Sequence, residues 1–252
     1  MLEELATQVF WIGLLKIIGV NIILSGDNAV VIALAARSLP PKQRKLAILW
    51  GAGAAVALRI VLTIFAVALL TLPWLKIVGS LLLFWIGIKL LVPEDGDDDI
   101  NASEHLLTAI KTILIADLVM SLDNVIAVAA AAGGSMTLLI LGLAISIPLV
   151  VFGATLLVTL MDRYPVIITV GAALIGMVAG EMLVTDPVAL DWMKGIAGMQ
   201  VEDGKPKLHG VNLELAAGAI GAVIVVAWGL WLAKRQEAAK TSSSKETQTG
   251  NS

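Results

Sequence analysis

The 252 residues include no cysteine, so neither a disulfide nor a thiolate metal site can form. Histidine occurs twice, at His105 and His209, and both fall at or outside the ends of the long apolar runs. Charged residues make up only 15% of the chain, against about 25% in a soluble domain. Aromatic residues are few, at 5%. Six of the tryptophans (Trp11, Trp50, Trp74, Trp192, Trp228 and Trp231) lie near the ends of apolar runs or in a connection, which suits an interfacial belt. No basic, aromatic-interleaved surface is present, so no nucleic-acid partner is expected. The opening MLEELATQ has acids where a signal peptide needs a basic stretch, so the first apolar segment is expected to be kept as a membrane span.

The remainder of the chain is apolar in long stretches. Hydrophobic residues reach 58%, mean hydropathy is +0.93, and runs of ~20 apolar residues recur, long enough to span a bilayer. The fold expected is an all-α polytopic membrane protein. Seven spans are read at Val9–Ala36, Lys45–Leu70, Trp74–Val92, Leu106–Ala132, Met136–Met161, Val166–Thr185 and Leu213–Ala233. They form one transmembrane domain, residues 1–235, followed by a polar tail, 236–252, expected to be disordered. The outer stretch Asp186–Asn212 is expected to contain a short interfacial helix.

Basic residues set the orientation. Arg37, Lys42, Arg44, Lys45, Arg163, Lys234, Arg235, Lys240 and Lys245 fall on one side when the spans alternate. The other side has only Lys76, Lys194, Lys205 and Lys207. The N-terminus is therefore expected outside and the C-terminus in the cytoplasm. The acidic run Glu94–Asp99 lies on the cytoplasmic side and lacks the ligand spacing of a calcium loop.

The spans are duplicated. Ser121, Asp123 and Asn124 lie 96 positions after Ser25, Asp27 and Asn28. Pro73, Gly79, Lys89, Leu91 and Val92 match Pro165, Gly171, Glu181, Leu183 and Val184 at an offset of 92. Gly51 answers Gly142 at an offset of 91. Repeat one covers about 9–92 and repeat two about 106–185, with an extra helix at about 213–233. A repeat of three spans must run in opposite directions in its two copies, a recurring plan of secondary transporters with sites near the midplane.

The charged residues within the spans carry the functional reading. An aspartate in hydrocarbon costs roughly 2.5–3.5 kcal/mol on insertion scales. Asn21, Ser25 and Asn28 share a helix face by their spacing, as do Asp117, Ser121 and Asn124. Asp27 and Asp123 sit about 100° round from those stripes, so they join them only where the helix breaks or neighbours enclose a wider arc. Gly26 would ease a break in the first span, whereas Leu122 holds the matching place in the fourth. Arg59, near the middle of the second span, needs carboxylate partners. Three aspartates and one arginine leave two negative charges, which a divalent cation would balance. The candidate metal ligands are Asp27, Asn28, Asp117, Asp123 and Asn124, with Asn21, Ser25, Ser121, Arg59, Met120 and Glu181 in support. Apart from Met120 and the cationic Arg59, all offer hard oxygen donors, which suits Mg²⁺, Ca²⁺ or Mn²⁺ over zinc or copper. Met120 is either a soft ligand biasing the site toward Mn²⁺ or packing filler. Glu181 either guards an outer exit or sits among headgroups, and Lys89 is expected to snorkel.

The twin motifs SGDNAVVIAL and SLDNVIAVAAAA, with Lys89 and Glu181 on the third and sixth spans, resemble the TerC family of integral membrane proteins. The resemblance covers about Val9 to Ala233 and implicates Asp27, Asn28, Asp123 and Asn124 position by position. TerC proteins fall in the LysE superfamily and are named for an association with tellurium resistance. The resemblance implies a manganese exporter of a bacterial inner membrane, coupled to protons or to membrane potential. Mn²⁺ would be the substrate, with no permanently bound cofactor, and the bilayer and a divalent ion would be the partners. A homo-oligomer stays open. Three other readings stay open too: an exporter of Ca²⁺ or an amino acid, an intramembrane aspartyl hydrolase using Asp27 and Asp123, and a scaffold for a membrane complex. Asymmetric amino-acid pockets and a catalytic motif are not visible in the sequence, so no enzyme is expected.

Overall fold

A computed structural model of the chain describes residues 8–24, 26–65, 72–92, 102–202 and 204–249. Nearly all of it is helical. The helices are α1 (Gln8–Leu24), α2 (Gly26–Ala36), α3 (Pro41–Ile64), α4 (Leu75–Leu91), α5 (Ala102–Ala132), α6 (Met136–Arg163), α7 (Val166–Val184), α8 (Pro187–Met193) and α9 (Leu213–Thr249). Five are long and apolar enough to cross a bilayer, and a sixth span results if α1 and α2 count as one. Those two meet at a bend of 50° beside Gly26, where the sequence expects a break. Around Leu122, which the sequence matches to Gly26, α5 runs on without interruption. Helix α4 is short: 17 residues at ~1.5 Å each give about 26 Å, against ~30 Å of hydrocarbon.

Local chemistry sets the helix ends. Pro41 occupies the first turn of α3, where its missing N–H is no loss. Gly133 and Gly134, both at positive φ, close α5, and Ser135 caps α6 by accepting from Leu138 N at 3.3 Å. The last helix continues through Gln236 to Thr249, past the point where the tail was expected to lose order. The reason is compositional: Gln236-Glu237-Ala238-Ala239-Lys240 are strong helix formers, and no glycine or proline intervenes before Gly250.

Between α8 and α9 lies a feature absent from the sequence reading, an antiparallel three-stranded sheet. Its strands are β1 (Met199–Glu202), β2 (Lys205–Leu208) and β3 (Val211–Asn212), paired in chain order. His209 and Gly210 both adopt positive φ, as a two-residue turn between β2 and β3 requires. The expected short helix of this segment is α8, capped by Asp186.

The basic ends of several helices gather at one end of the bundle. Arg44 Nη1 donates to Asp162 Oδ2 at 2.7 Å, joining the start of α3 to the end of α6, and Arg44 Nη2 donates to Arg37 O at 2.6 Å. Arg37 Nη2 in turn donates to Leu90 O near the end of α4 at 2.8 Å.

Packing inside the bundle relies on small residues, as expected where lipid removes the hydrophobic drive between helices. Gly51 of α3 faces Ile113 of α5 so closely that a Cβ there would lie 2.8 Å from Ile113 Cδ1. Gly142 of α6 faces Ile17 of α1 in the same way, with 2.5 Å to Ile17 Cγ2. Gly176 and Gly180 of α7 approach the backbone of α9 at Gly221 and Ala217. Helix α9 thereby forms one packed group with α7 and α4, and Val225 fills the space beside Gly87 and Gly176.

Candidate functional site

Buried polar groups concentrate around Arg59, where α1, α3 and α5 meet. Asp117 is the central residue of α5, and Arg59 stands five positions before the end of α3. The described helix ends at Ile64, so Arg59 lies nearer its end than the expected span Lys45–Leu70 implied. Arg59 Nη2 donates to Asp117 Oδ1 at 2.5 Å, Nη1 to Asn21 Oδ1 at 2.7 Å, and Nε to Ser121 Oγ at 3.0 Å. Ser121 Oγ then donates to Asp117 Oδ2 at 3.2 Å. All four side chains are 4% exposed or less.

This network uses the fork of the guanidinium, whose N–H groups point in fixed directions to three partners. Its position is informative. Asn21 and Asp117 stand 96 positions apart, the offset of the two tetrads in the sequence, and Arg59 bonds to both. Both carboxylate oxygens of Asp117 are engaged, one by the arginine and one by Ser121. Asp117, expected among the metal ligands, thus stands as the counter-ion of Arg59. The expectation that Arg59 needs a carboxylate is met here at close range.

The two tetrads are placed differently. Asp27 and Asn28 lie in the first turn of α2, immediately beyond the bend. Asp27 is exposed, whereas Asn28 is 3% exposed with neither Oδ1 nor Nδ2 bonded among the described residues. Leaving a buried polar group unbonded costs roughly 1–3 kcal/mol, so a buried amide with both ends unused is a marked exception. In the second half, Asn124 is half-buried on α5. Ser25 and the side chain of Asp123 lie outside the described residues, as does the acidic run Glu94–Asp99. Among the described residues, no group of three or more His, Asp and Glu gathers closely enough to hold a metal.

Two supporting residues stand elsewhere. Met120 is 5% exposed and packs within the apolar core that includes Ala29, Leu34, Ile113 and Ala116. Glu181 packs on α9, where a Cβ at Gly218 would meet its Cγ at 3.0 Å and its Oε1 at 3.1 Å. It is thus set apart from the Arg59 cluster. Lys89 places its ammonium 5.6 Å from the centre of the Trp85 ring.

One important residue escaped the sequence reading. Asp186 is fully buried and accepts from Val188 N at 2.9 Å, Lys76 N at 3.1 Å, Ile77 N at 3.3 Å and Trp74 N at 3.3 Å. It caps α8 and, across the bundle, the start of α4, where Trp74 is held at a positive φ of 69°. The Asp-Pro pair before α8 is a legible capping signal; the second helix that it caps is not.

Outside the bundle, Lys207 Nζ donates to Glu202 Oε2 at 2.5 Å across the sheet. That hydrogen bond and the lysine's charge hold the Glu202 carboxyl below its ordinary range.

Several apolar spans around a buried ion-pair network define a helical integral membrane protein. The chain belongs to the TerC family of integral membrane proteins, whose profile matches residues 6–237. Among its relatives is the "Uncharacterized membrane protein YjbE" of Bacillus subtilis, 46% identical over 177 residues, covering 70% of this chain and 81% of that one. The "Uncharacterized membrane protein YkoY" of Bacillus subtilis is 26% identical over 90% of this chain and 74% of its own length. A "UPF0053 protein" of Haemophilus influenzae is 26% identical over 77% of this chain and 90% of its own. No solved structure matches the chain.

Proposed function

We propose that the protein is a transporter, not an enzyme, and that it exports divalent cations, Mn²⁺ foremost, across a bacterial inner membrane. Transport runs between two inverted repeats of three spans, with α4 as a short third span and α9 as a seventh outside the repeat. Two matching contacts support the inversion. Gly51 meets Ile113, and Gly142 meets Ile17. Gly51 and Gly142 are repeat partners, and so are Ile17 and Ile113 at the 96-residue offset, so each contact is the other with the halves exchanged. Arg59, bonded to both Asn21 and Asp117, marks where the halves meet.

The observation that carries the ion-binding reading is the buried, unbonded amide of Asn28 beside exposed Asp27 at a broken span. Broken helices in transporters offer free carbonyls to cations. Since Asp117 is neutralised by Arg59, the ligand set becomes Asp27, Asn28, Asp123 and Asn124, whose two carboxylates balance one divalent ion. Hard oxygen donors favour Mn²⁺, Mg²⁺ and Ca²⁺ over Zn²⁺. Protons compete for the same carboxylates, which supplies a route for coupling to protons or membrane potential.

The test is metal flux into proteoliposomes, with Mn²⁺, Mg²⁺, Ca²⁺ and Zn²⁺ compared in one preparation. Mn²⁺ flux is expected in the wild type and is lost in Asp27→Asn and in Asp123→Asn. Preference for Ca²⁺ reassigns the ion. Folded protein that moves none of these cations removes the metal-transport reading.

A further inference from the structure

Helix α6 carries a proline, Pro148, in its interior. A proline there removes one hydrogen bond of the helix and crowds the carbonyl four residues earlier, which is Ala144 O. Ser146 beside it turns its hydroxyl back and donates to Gly142 O at 2.8 Å, a bond that also favours bending. Two features that weaken the straight helix thus stand together near the middle of α6.

The neighbours of α6 give this weak point a meaning. Gly13 of α1 faces Leu138, Ile17 of α1 faces Gly142, and Ala29 of α2 faces Gly153. The offsets of these contacts are 125, 125 and 124, so α6 runs parallel to α1 and α2 in one register along both. In that register residues 23–25, where the chain bends by 50°, are level with 147–150. Pro148 therefore stands opposite the bend. The apolar core divides at the same level. Ile17 of α1 clusters with Leu139 and Leu143 of α6. Ala29 of α2 belongs to a second cluster with Ala154 and Val158 of α6, which reaches Leu83 of α4 and Ile175 of α7.

We infer that Pro148 is a hinge, about which α1 and the N-terminal half of α6 swing as one body against a second body of α2, the C-terminal half of α6, α4 and α7. The first turn of α2, with Asp27 and Asn28, lies at the level of this hinge, so the swing opens that turn to one face of the membrane and closes it to the other. This consequence rests on the transport reading above; the motion itself does not, and it is measured without an ion.

The chain has no cysteine, so introduced cysteines are labelled alone. Spin labels at Met136→Cys and Leu215→Cys report the swing, since both positions are exposed and α9 packs on α4 and α7. Met136 stands 12 residues from Pro148, about 18 Å along the helix. A kink of ~20° moves it by about 6 Å. Full-length protein in lipid nanodiscs with a chelator would be measured by double electron–electron resonance. The wild-type distribution of separations is expected to be about 6 Å wider than that of Pro148→Ala, which restores the missing N–H. Pro148→Gly stays flexible and should keep the wide distribution. Labels at Arg163→Cys and Trp231→Cys, both on the second body, should give the same distribution in wild type and Pro148→Ala. Should Pro148→Ala fail to fold, Pro148→Leu at this exposed position takes its place. In proteoliposomes Pro148→Ala should bind Mn²⁺ like wild type and carry it at least about tenfold more slowly. Equal Met136–Leu215 distributions in wild type and Pro148→Ala overturn the hinge, as does equal narrowing of both label pairs, which marks general stiffening. Wild-type flux in a narrowed Pro148→Ala overturns the role of the hinge in transport. Narrowing in Pro148→Ala, with no Mn²⁺ bound or moved by wild type, upholds the hinge and removes the transport reading.

Discussion

Removing the guanidinium of Arg59 is the most informative perturbation, because it strands Asp117 in a closed environment. Arg59 and Asp117 are 3% and 4% exposed, and among the described residues their 2.5 Å contact supplies the aspartate's charge compensation. Breaking one side of such a pair costs about 3–5 kcal/mol, mostly for the uncompensated charge left behind. For a chain of this size each kcal/mol moves Tm by roughly 2–4 °C, so Arg59→Ala should lower it by roughly 6–20 °C. Asp117→Asn in the same background removes the stranded charge and should recover about half of the loss. Arg59→Lys should not rescue, since one ammonium cannot reach Asn21, Ser121 and Asp117 together. The assay is thermal unfolding in one detergent of wild type, Arg59→Ala, Asp117→Asn and the double variant, read as a double-mutant cycle, with Arg59→Lys alongside. If Arg59→Ala shifts Tm by less than about 4 °C, or if the double variant falls by the sum of the single changes, the pair is not coupled and the reasoning fails.

Other outcomes follow from the same geometry. Asp186→Ala removes the acceptor of four backbone N–H groups and should cost about 2 kcal/mol or more, whereas Asp186→Asn, also a good cap, should cost less; equal unfolding temperatures for both and wild type would refute the shared cap. Met120→Leu conserves volume in an apolar core, so it should cost under about 1.5 kcal/mol and spare Mn²⁺ flux; selective loss of Mn²⁺ flux would restore the thioether as a ligand. Gly221→Val drives a side chain into the α7 backbone at Gly176 and should detach α9, seen as new protease cleavage between Asp186 and Leu213; an intact digestion pattern counts against this packing. The Glu202 carboxyl titrates below its ordinary range, so its contribution to the sheet is complete above about pH 4.5 and fades as pH falls through the lowered value. Carbon NMR should show that titration return to the ordinary range in Lys207→Gln, and no change would refute the pairing.

Much of the fold was written in the chain. Hydrocarbon forbids unpaired backbone groups, so runs of ~20 apolar residues could only become helices. Gly26 offered a place where a bend is easy, and the bend between α1 and α2 lies beside it, while α5 is continuous at Leu122. Arg59 announced a carboxylate partner because a lone cation at that depth is untenable. The Asp203-Gly204 and His209-Gly210 pairs were turn signals for the sheet, outweighed by the apolar residues of that segment.

Tertiary packing decided the rest. Three intramembrane aspartates look alike in sequence, since periodicity assigns a face but not a neighbour. Only the approach of α3 to α5, allowed by Gly51 against Ile113, gave Asp117 to Arg59 and left Asp27 apart from it. The same holds for Glu181, drawn against α9 by glycines on both helices, and for Asp186, whose second helix lies more than a hundred residues earlier in the chain. A sequence states which groups are too polar to be left alone in a membrane; which group relieves which is settled by the distances between helices, and those depend on all the side chains that pack between them.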